Sequence, residues 1–303
     1  NMTISAPAWL DYAEDNVFGF VGLLKKSTGT GRFLPCPRGA TTYGQRADLG
    51  FSCFALKLYY LFGWWDTRLS SRERSEWIDF IQSFQTQHVT IYNAFEGAYV
   101  DQVLANFLHK PSLSRYISRL CSTSLKEFVR SMFLGQFLSP SERAIIAETK
   151  QVIATLAEIR EKTQQPYTGF CQLPNEVDDY MASFDWSLPW SAGGQTSALA
   201  VFLSVEAPRL MPDVKVLALK QAARSFYRSI ANPTSGGYFI GKTPSHDMLV
   251  NGAMKVLTAL DWLGEEIHYP TQLIDATLHK LPRPAGCNMV DAVYVLYRCA
   301  LQT

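Results

Sequence analysis

Helices that are apolar on every face alternate in this chain with helices that are apolar on one. The stretch DLGFSCFALKLYYLFGWW, Asp48 to Trp65, has no polar stripe wide enough to face water. It is followed by SSRERSEWIDFIQSF, in which Trp77, Phe80, Ile81 and Phe84 recur at helical spacing opposite Arg72, Arg74, Glu76 and Asp79. Ser70 or Ser71 is the expected cap of that helix, with Glu73 spaced for a capping box. SPSERAIIAETKQVIATLAEIREKT and DVKVLALKQAARSFYRSI read as further amphipathic helices. GGQTSALAVFLSVEA, HDMLVNGAMKVLTALDWLG and GCNMVDAVYVLYRCAL read as further apolar ones, each after a turn rich in Gly or Pro. No alternating strand pattern persists, and NPTSGGYFIGK has room for a short hairpin at most.

A helix apolar all round has to be buried all round. Alternating the two kinds therefore predicts an inner ring of buried helices and an outer ring of half-exposed ones. The expected fold is all-α: a closed α/α toroid of about six helical hairpins, one domain over residues 1–303. Its inner helices are expected near 47–64, 97–109, 193–207, 247–264 and 287–301, with the fourth of the six within Leu113–Phe137. The competing fold is an open α-solenoid, which would show tighter periods and charged concave surfaces.

Composition narrows the function classes. Of the 303 residues, 47% are hydrophobic and 18% charged, enough for a large core and too little charge for a disordered chain. A net charge of +1 gives no electrostatic reason to expect nucleic acid or an anionic membrane as partner. The first residues carry neither a basic segment nor an apolar one of the kind that directs secretion. No apolar run is long enough to span a bilayer. Six cysteines stand singly, without Cys-x-x-Cys or zinc spacing. Reduced thiols, a cytoplasmic location, no metal and no cofactor are expected; oligomeric state is not written in the sequence.

Two resemblances bear on activity. Residues 193–264, with GGQTSALAVFL, an AARSF outer helix, a Gly-Gly turn and LVNGAMKVL, resemble the C-terminal helical barrel of glucuronyl C5-epimerases and related sugar-handling six-hairpin barrels. The Gly-Gly-aromatic turns are similar to those of terpenoid cyclases and prenyltransferase β subunits. EVDDYMASFDW is partly similar to the Asp-x-Asp-Asp motif of proton-initiated cyclases, with Glu176 where that motif begins with Asp. The first resemblance implies sugar chemistry. The second implies a cyclase with Asp178 or Asp179 as proton donor.

In a ring of hairpins the inner helices run parallel, so their N-terminal ends, with free N–H groups and positive dipole ends, share one funnel. Candidate site residues are those just before or within the starts of the apolar helices. Glu176, Asp178, Asp179 and Asp185 crowd into an expected loop with Trp186 and Trp190. Crowding favours a retained proton, and paired carboxylates beside Trp suit glycosidic chemistry. Asp178, Asp179, His246 and Glu96 are the expected acid–base residues. Arg46 is an expected carboxylate or phosphate donor, or the ion-pair partner of Asp48, itself a possible N-cap. Gln195, Tyr238, Asp247, Asn251, Asn288 and Asp291 complete the expected binding residues. His246 and Asp247 are chain neighbours, which on a helix do not face each other. The favoured reading is an enzyme that hydrolyses, eliminates or epimerises a carbohydrate or glycoconjugate, with a small-molecule or glycan substrate. The alternatives are an isoprenoid cyclase-like enzyme and a non-catalytic binding or scaffold toroid.

Overall fold

The computed structural model describes residues 8–86, 95–109, 140–284 and 286–303. Every regular element among them is a helix. In chain order these are α1 (Ala8–Leu24), α2 (Thr42–Arg46), α3 (Leu49–Leu61), α4 (Trp64–Thr67), α5 (Ser71–Gln82), α6 (Gln102–His109) and α7 (Pro140–Glu158). They continue with α8 (Pro174–Ala182), α9 (Pro189–Val205), α10 (Ala207–Leu210), α11 (Asp213–Ile230), α12 (His246–Leu263), α13 (Pro270–Leu278) and α14 (Asn288–Ala300). Extended pairing among the described residues is limited to three isolated bridges. One of them, Ala231 with Tyr238, is the short hairpin expected at the Gly-Gly turn. Gly236 turns there with φ 68°, and a Cβ on it would fall 2.6 Å from Leu273 and Tyr269. The predicted inner helix within Leu113–Phe137 lies outside the described residues.

The chain divides into two compact units, residues up to 109 with 140–165, and residues 166–303. Each has its own apolar core.

In the first unit α5 starts on the predicted capping box. Ser70 Oγ accepts from Glu73 N at 3.2 Å and Glu73 Oε2 accepts from Ser70 N at 2.8 Å. Its apolar stripe turns Trp77 into the core, where the indole N–H donates to Ser52 Oγ of α3 at 2.8 Å. Helices α3 and α7 lie parallel. Gly50 faces Glu148 toward their starts, and Lys57 Nζ meets Glu158 Oε1 at 2.7 Å toward their ends. The sequence pattern assigns α7 to the amphipathic class, but Val152, Ile153, Ala154, Thr155 and Leu156 are buried in succession. Thr155 is tolerated there because its hydroxyl donates to Gln151 O at 2.7 Å within the helix. Short threonines cost α7 little when buried, so a helix that reads as half-polar packs as a core helix.

In the second unit α9, α12 and α14 run parallel. Helices α9 and α12 are buried, whereas α14, expected to be buried all round, buries only Asp291, Ala292, Val295 and Cys299 and leaves Val290, Val293 and Tyr297 exposed. Gly193 of α9 lies against Gly252 and Lys255 of α12, and Ser204 Oγ donates to Trp262 O at 2.5 Å toward the other end. Asn251 meets Asn288 near the starts of α12 and α14, and Arg298 meets Asp261 at 2.6 Å near their ends. Six successive residues of α9, Ala198 to Leu203, are buried, as its all-round apolar sequence requires. Full burial of Leu199 and Leu203 contributes roughly 1.5–3 kcal/mol for each side chain. Helix α11 buries only Val216, Leu219, Ala223, Tyr227 and Ile230, one stripe at helical spacing, and covers α9 and α8. Helix α13 packs chiefly against α14. The expected contrast between buried and half-exposed helices holds for α9 and α12 against α11, and fails for α14.

Candidate functional site

Five of the predicted residues of the second unit lie at the starts of α12 and α14. His246 is the first residue of α12; its Nε2 lies 3.2 Å from Thr277 O. Its Nδ1 lies 3.6 Å from Asp247 Oδ1, so the two neighbours do approach despite their adjacency. Arg283 pairs with Asp247 at 2.5 Å and, through that hydrogen bond first, holds its carboxyl below the usual range. Asn251 Nδ2 donates to Asn288 Oδ1 at 2.8 Å. One turn along α14, Asp291 is buried, and burial pushes its carboxyl up despite nearby Lys255. The start of α9 is adjacent, with Pro189 against Gly252. Trp190 is exposed in the first turn of α9, and Gln195 is half-buried one turn on.

Other predicted residues of this unit take structural positions. The expected acidic loop is helix α8, because Pro174 at its first turn and Glu176 at N3 start a helix. Glu176 Oε2 accepts from Gln172 N at 2.8 Å and Leu173 N at 3.1 Å, so it caps. Asp178 and Asp179 stand exposed on α8. Asp185 Oδ1 accepts from Ser187 N at 3.0 Å. Trp186, expected to face a substrate, is core: it packs on Phe226 and Tyr227, and its N–H donates to Met181 O at 2.9 Å. Tyr238 is buried, with its hydroxyl 3.1 Å from His268 Nδ1. Burial raises the phenol's pKa well above its usual value. The ring therefore serves packing, with no ionisable phenol offered to solvent.

The first unit holds an open groove of ligand size, about 870 Å³. Lys25, Lys26, Arg32, Arg38 and Arg46 line it, with Asp48 as the single carboxylate. Ser27 and Thr28 add hydroxyls and Gln45 an amide. Asp48 is buried and already neutralised, by Lys26 Nζ and by Arg32 Nη1, each at 2.7 Å. This replaces the expected Arg46–Asp48 pair. Arg46 instead stands exposed at the end of α2, and among the described residues neither it nor Arg38 forms a salt bridge to a carboxylate. Lys26 also donates to Gln45 O at 2.6 Å, which fixes the ammonium on the groove wall.

Asp48 occupies the N-cap position of α3, but its side chain makes no cap. Asp101 does so from across the unit. Its Oδ2 accepts from Asp48 N at 2.8 Å and Leu49 N at 3.2 Å. Its Oδ1 accepts from Val103 N at 2.9 Å and Leu104 N at 3.4 Å, at the start of α6. One buried carboxylate thus holds two helix starts. Glu148 Oε2 accepts from Asp101 N at 3.4 Å. Burial, reinforced by the Asp101 charge, pushes the Glu148 carboxyl up to about 8. Glu96, an expected acid–base residue, is exposed in the turn before this segment. The carboxylates that meet the start of α3 are the buried Asp101 and the half-buried Glu148.

No family model, curated protein or solved structure matches the chain. The chemistry of the groove has to be read from its own residues. A signal for it was present in the sequence: from Asn16 to Ala47 there are five Lys and Arg and no Asp or Glu. A net charge of +1 over the whole chain averages this run away. Two guanidinium groups, Arg38 and Arg46, are suited to bidentate contact with carboxylate, sulfate or phosphate oxygens. Lys26 and Arg32, locked by Asp48, supply fixed positive potential behind them. Among the described residues no group of three His, Cys, Asp or Glu side chains is placed to hold a metal ion. The five described cysteines are free thiols, and no described helix is long and apolar enough to cross a membrane.

Proposed function

We propose that the protein recognises an acidic carbohydrate, one carrying carboxylate or sulfate groups, as its substrate in the groove of the first unit. The observation that carries this reading is the charge imbalance of the groove, five cations around a cavity of about 870 Å³ whose lone carboxylate is already paired twice. The hydroxyls of Ser27 and Thr28 and the amide of Gln45 are further partners for a polyhydroxylated chain. Hydrolysis, elimination or epimerisation of such a sugar is the reaction class we favour. The isoprenoid alternative needs a proton-donating aspartate facing a dry cavity, and the exposure of Asp178 and Asp179 on α8 weighs against it. We also propose that the hairpins belong to one closed α/α toroid of about six. The support is local: α3 and α7 run parallel in one unit, and α9, α12 and α14 run parallel in the other.

Calorimetric titration with a hexuronate oligosaccharide and with a neutral oligosaccharide of equal length tests the reading. The acidic oligomer binds, the neutral one binds far more weakly, and added salt raises Kd. Arg38→Ala and Arg46→Ala each weaken binding by about tenfold or more, the loss of a charged hydrogen bond. Equal binding of the neutral oligomer, or an unchanged Kd in both variants, refutes it. Inorganic phosphate as competitor shows whether any small anion suffices.

A further inference from the structure

The groove wall depends on a chain of contacts that begins in α7. Lys26 and Arg32 are held by the side chain of Asp48. The backbone of Asp48 is held by the carboxylate of Asp101, which also holds the start of α6. Beside Asp101 stands Glu148, hydrogen-bonded to the Asp101 N–H. No salt bridge to Glu148 is formed among the described residues.

We propose that Asp101 is the positioning residue of the groove and that the Glu148 carboxyl is its proton switch. With Glu148 uncharged, Asp101 keeps all four helix-start N–H groups and Asp48 presents Lys26 and Arg32 in place. With Glu148 charged, its carboxylate repels that of Asp101, the hold on Asp48 and Leu49 weakens, and the groove loses its fixed cations. The proposal rests on the groove being the binding site.

The groups that face Glu148 sharpen the assignment. From α2 comes Tyr43, pushed up to about 12 by burial and then by the Glu148 and Asp101 charges. From α3 comes Cys53, pushed up to about 12 by burial. From the start of α6 comes Asp101 itself. Tyr43 and Cys53 therefore keep their protons through mildly alkaline solution, where the Glu148 carboxyl, raised to about 8, loses its own. The sign is fixed: protonation of Glu148 assembles the groove and its loss disassembles it.

The test has a ligand-free arm and a ligand arm, both on the full chain. Amide NMR signals and hydrogen exchange of Asp48, Leu49, Val103 and Leu104 are followed from pH 6 to 9.5. In the unaltered protein these amides share one inflection and lose protection above it. In Glu148→Gln the inflection vanishes and protection persists. With the hexuronate oligosaccharide, Kd rises by about tenfold per pH unit above the inflection if only the protonated form binds, and is flat in Glu148→Gln. Asp101→Asn weakens binding at every pH, whereas Asp101→Glu restores part of it. Absence of a shared inflection, or its survival in Glu148→Gln, overturns the proposal. A clean inflection in a protein that binds no acidic oligomer leaves the switch standing and refutes the groove as an acidic-sugar site instead.

Discussion

Replacing Gly252 by alanine puts a methyl group into the crossing of α9 and α12. The added Cβ falls 2.6 Å from Pro189 Cβ, 2.8 Å from its Cγ and 3.0 Å from its carbonyl carbon. Carbon atoms rest at roughly 3.5–4 Å, so the helices must separate by nearly 1 Å. Two of the three contacts are to the short, ring-locked Pro189 and one is to backbone, so no flexible side chain can give way. Overpacking of this kind costs about 1–3 kcal/mol. Against it stands the gain of alanine over glycine inside a helix, about 1 kcal/mol. The sum is a net destabilisation of about 0–2 kcal/mol. Gly194 provides the control. It lies in α9 with nothing within 4 Å of an added Cβ, so Gly194→Ala collects the helix gain alone and stabilises by about 0.5–1 kcal/mol. Urea unfolding followed by far-UV circular dichroism reads both, as midpoint shifts at constant slope. The two substitutions, chemically identical, must move the midpoint differently. A stabilisation by Gly252→Ala equal to that of Gly194→Ala refutes the close crossing.

Glu148→Gln should also change stability with pH. Its folded pKa lies above the usual 4.5, at about 8, so the folded state takes up a proton and stability falls as pH rises from about 4.5 to about 8. At pH 7 that cost is at most about 3 kcal/mol, so the variant gains up to that amount at pH 7 and nothing near pH 4; a pH-independent difference in denaturation midpoints contradicts it. Ser52→Ala strands the buried Trp77 N–H and should cost about 1–3 kcal/mol, whereas the exposed Ser71→Ala changes unfolding little.

The apolar pattern by itself determined where most helices lie and the burial of α9 and α11, though not that of α7, which reads as half-polar and is core, or of α14, which reads as apolar and is half-exposed. Residues such as Ala198–Leu203 and the Val216–Ile230 stripe leave no other solution, because burial follows directly from the absence or presence of a polar face. Ser70 and Glu73 likewise wrote their own capping box, a contact within four residues. The contact of Asn251 with Asn288 was also legible, since parallel helices bring their starts together. What the sequence did not determine is partner choice among polar groups. Asp48 looked like a cap or the mate of Arg46, but which cation reaches it depends on how the Lys25–Phe33 bridge folds back on α3. Asp178 and Asp179 looked like a crowded loop, until Pro174 and Glu176 were seen to start a helix that spreads them onto its surface. The double cap by Asp101 joins residues more than fifty positions apart and leaves no local pattern. Only tertiary structure decides such contacts, because the energy of a carboxylate depends on the distance to its neighbours and on its burial, and neither is a property of chain order.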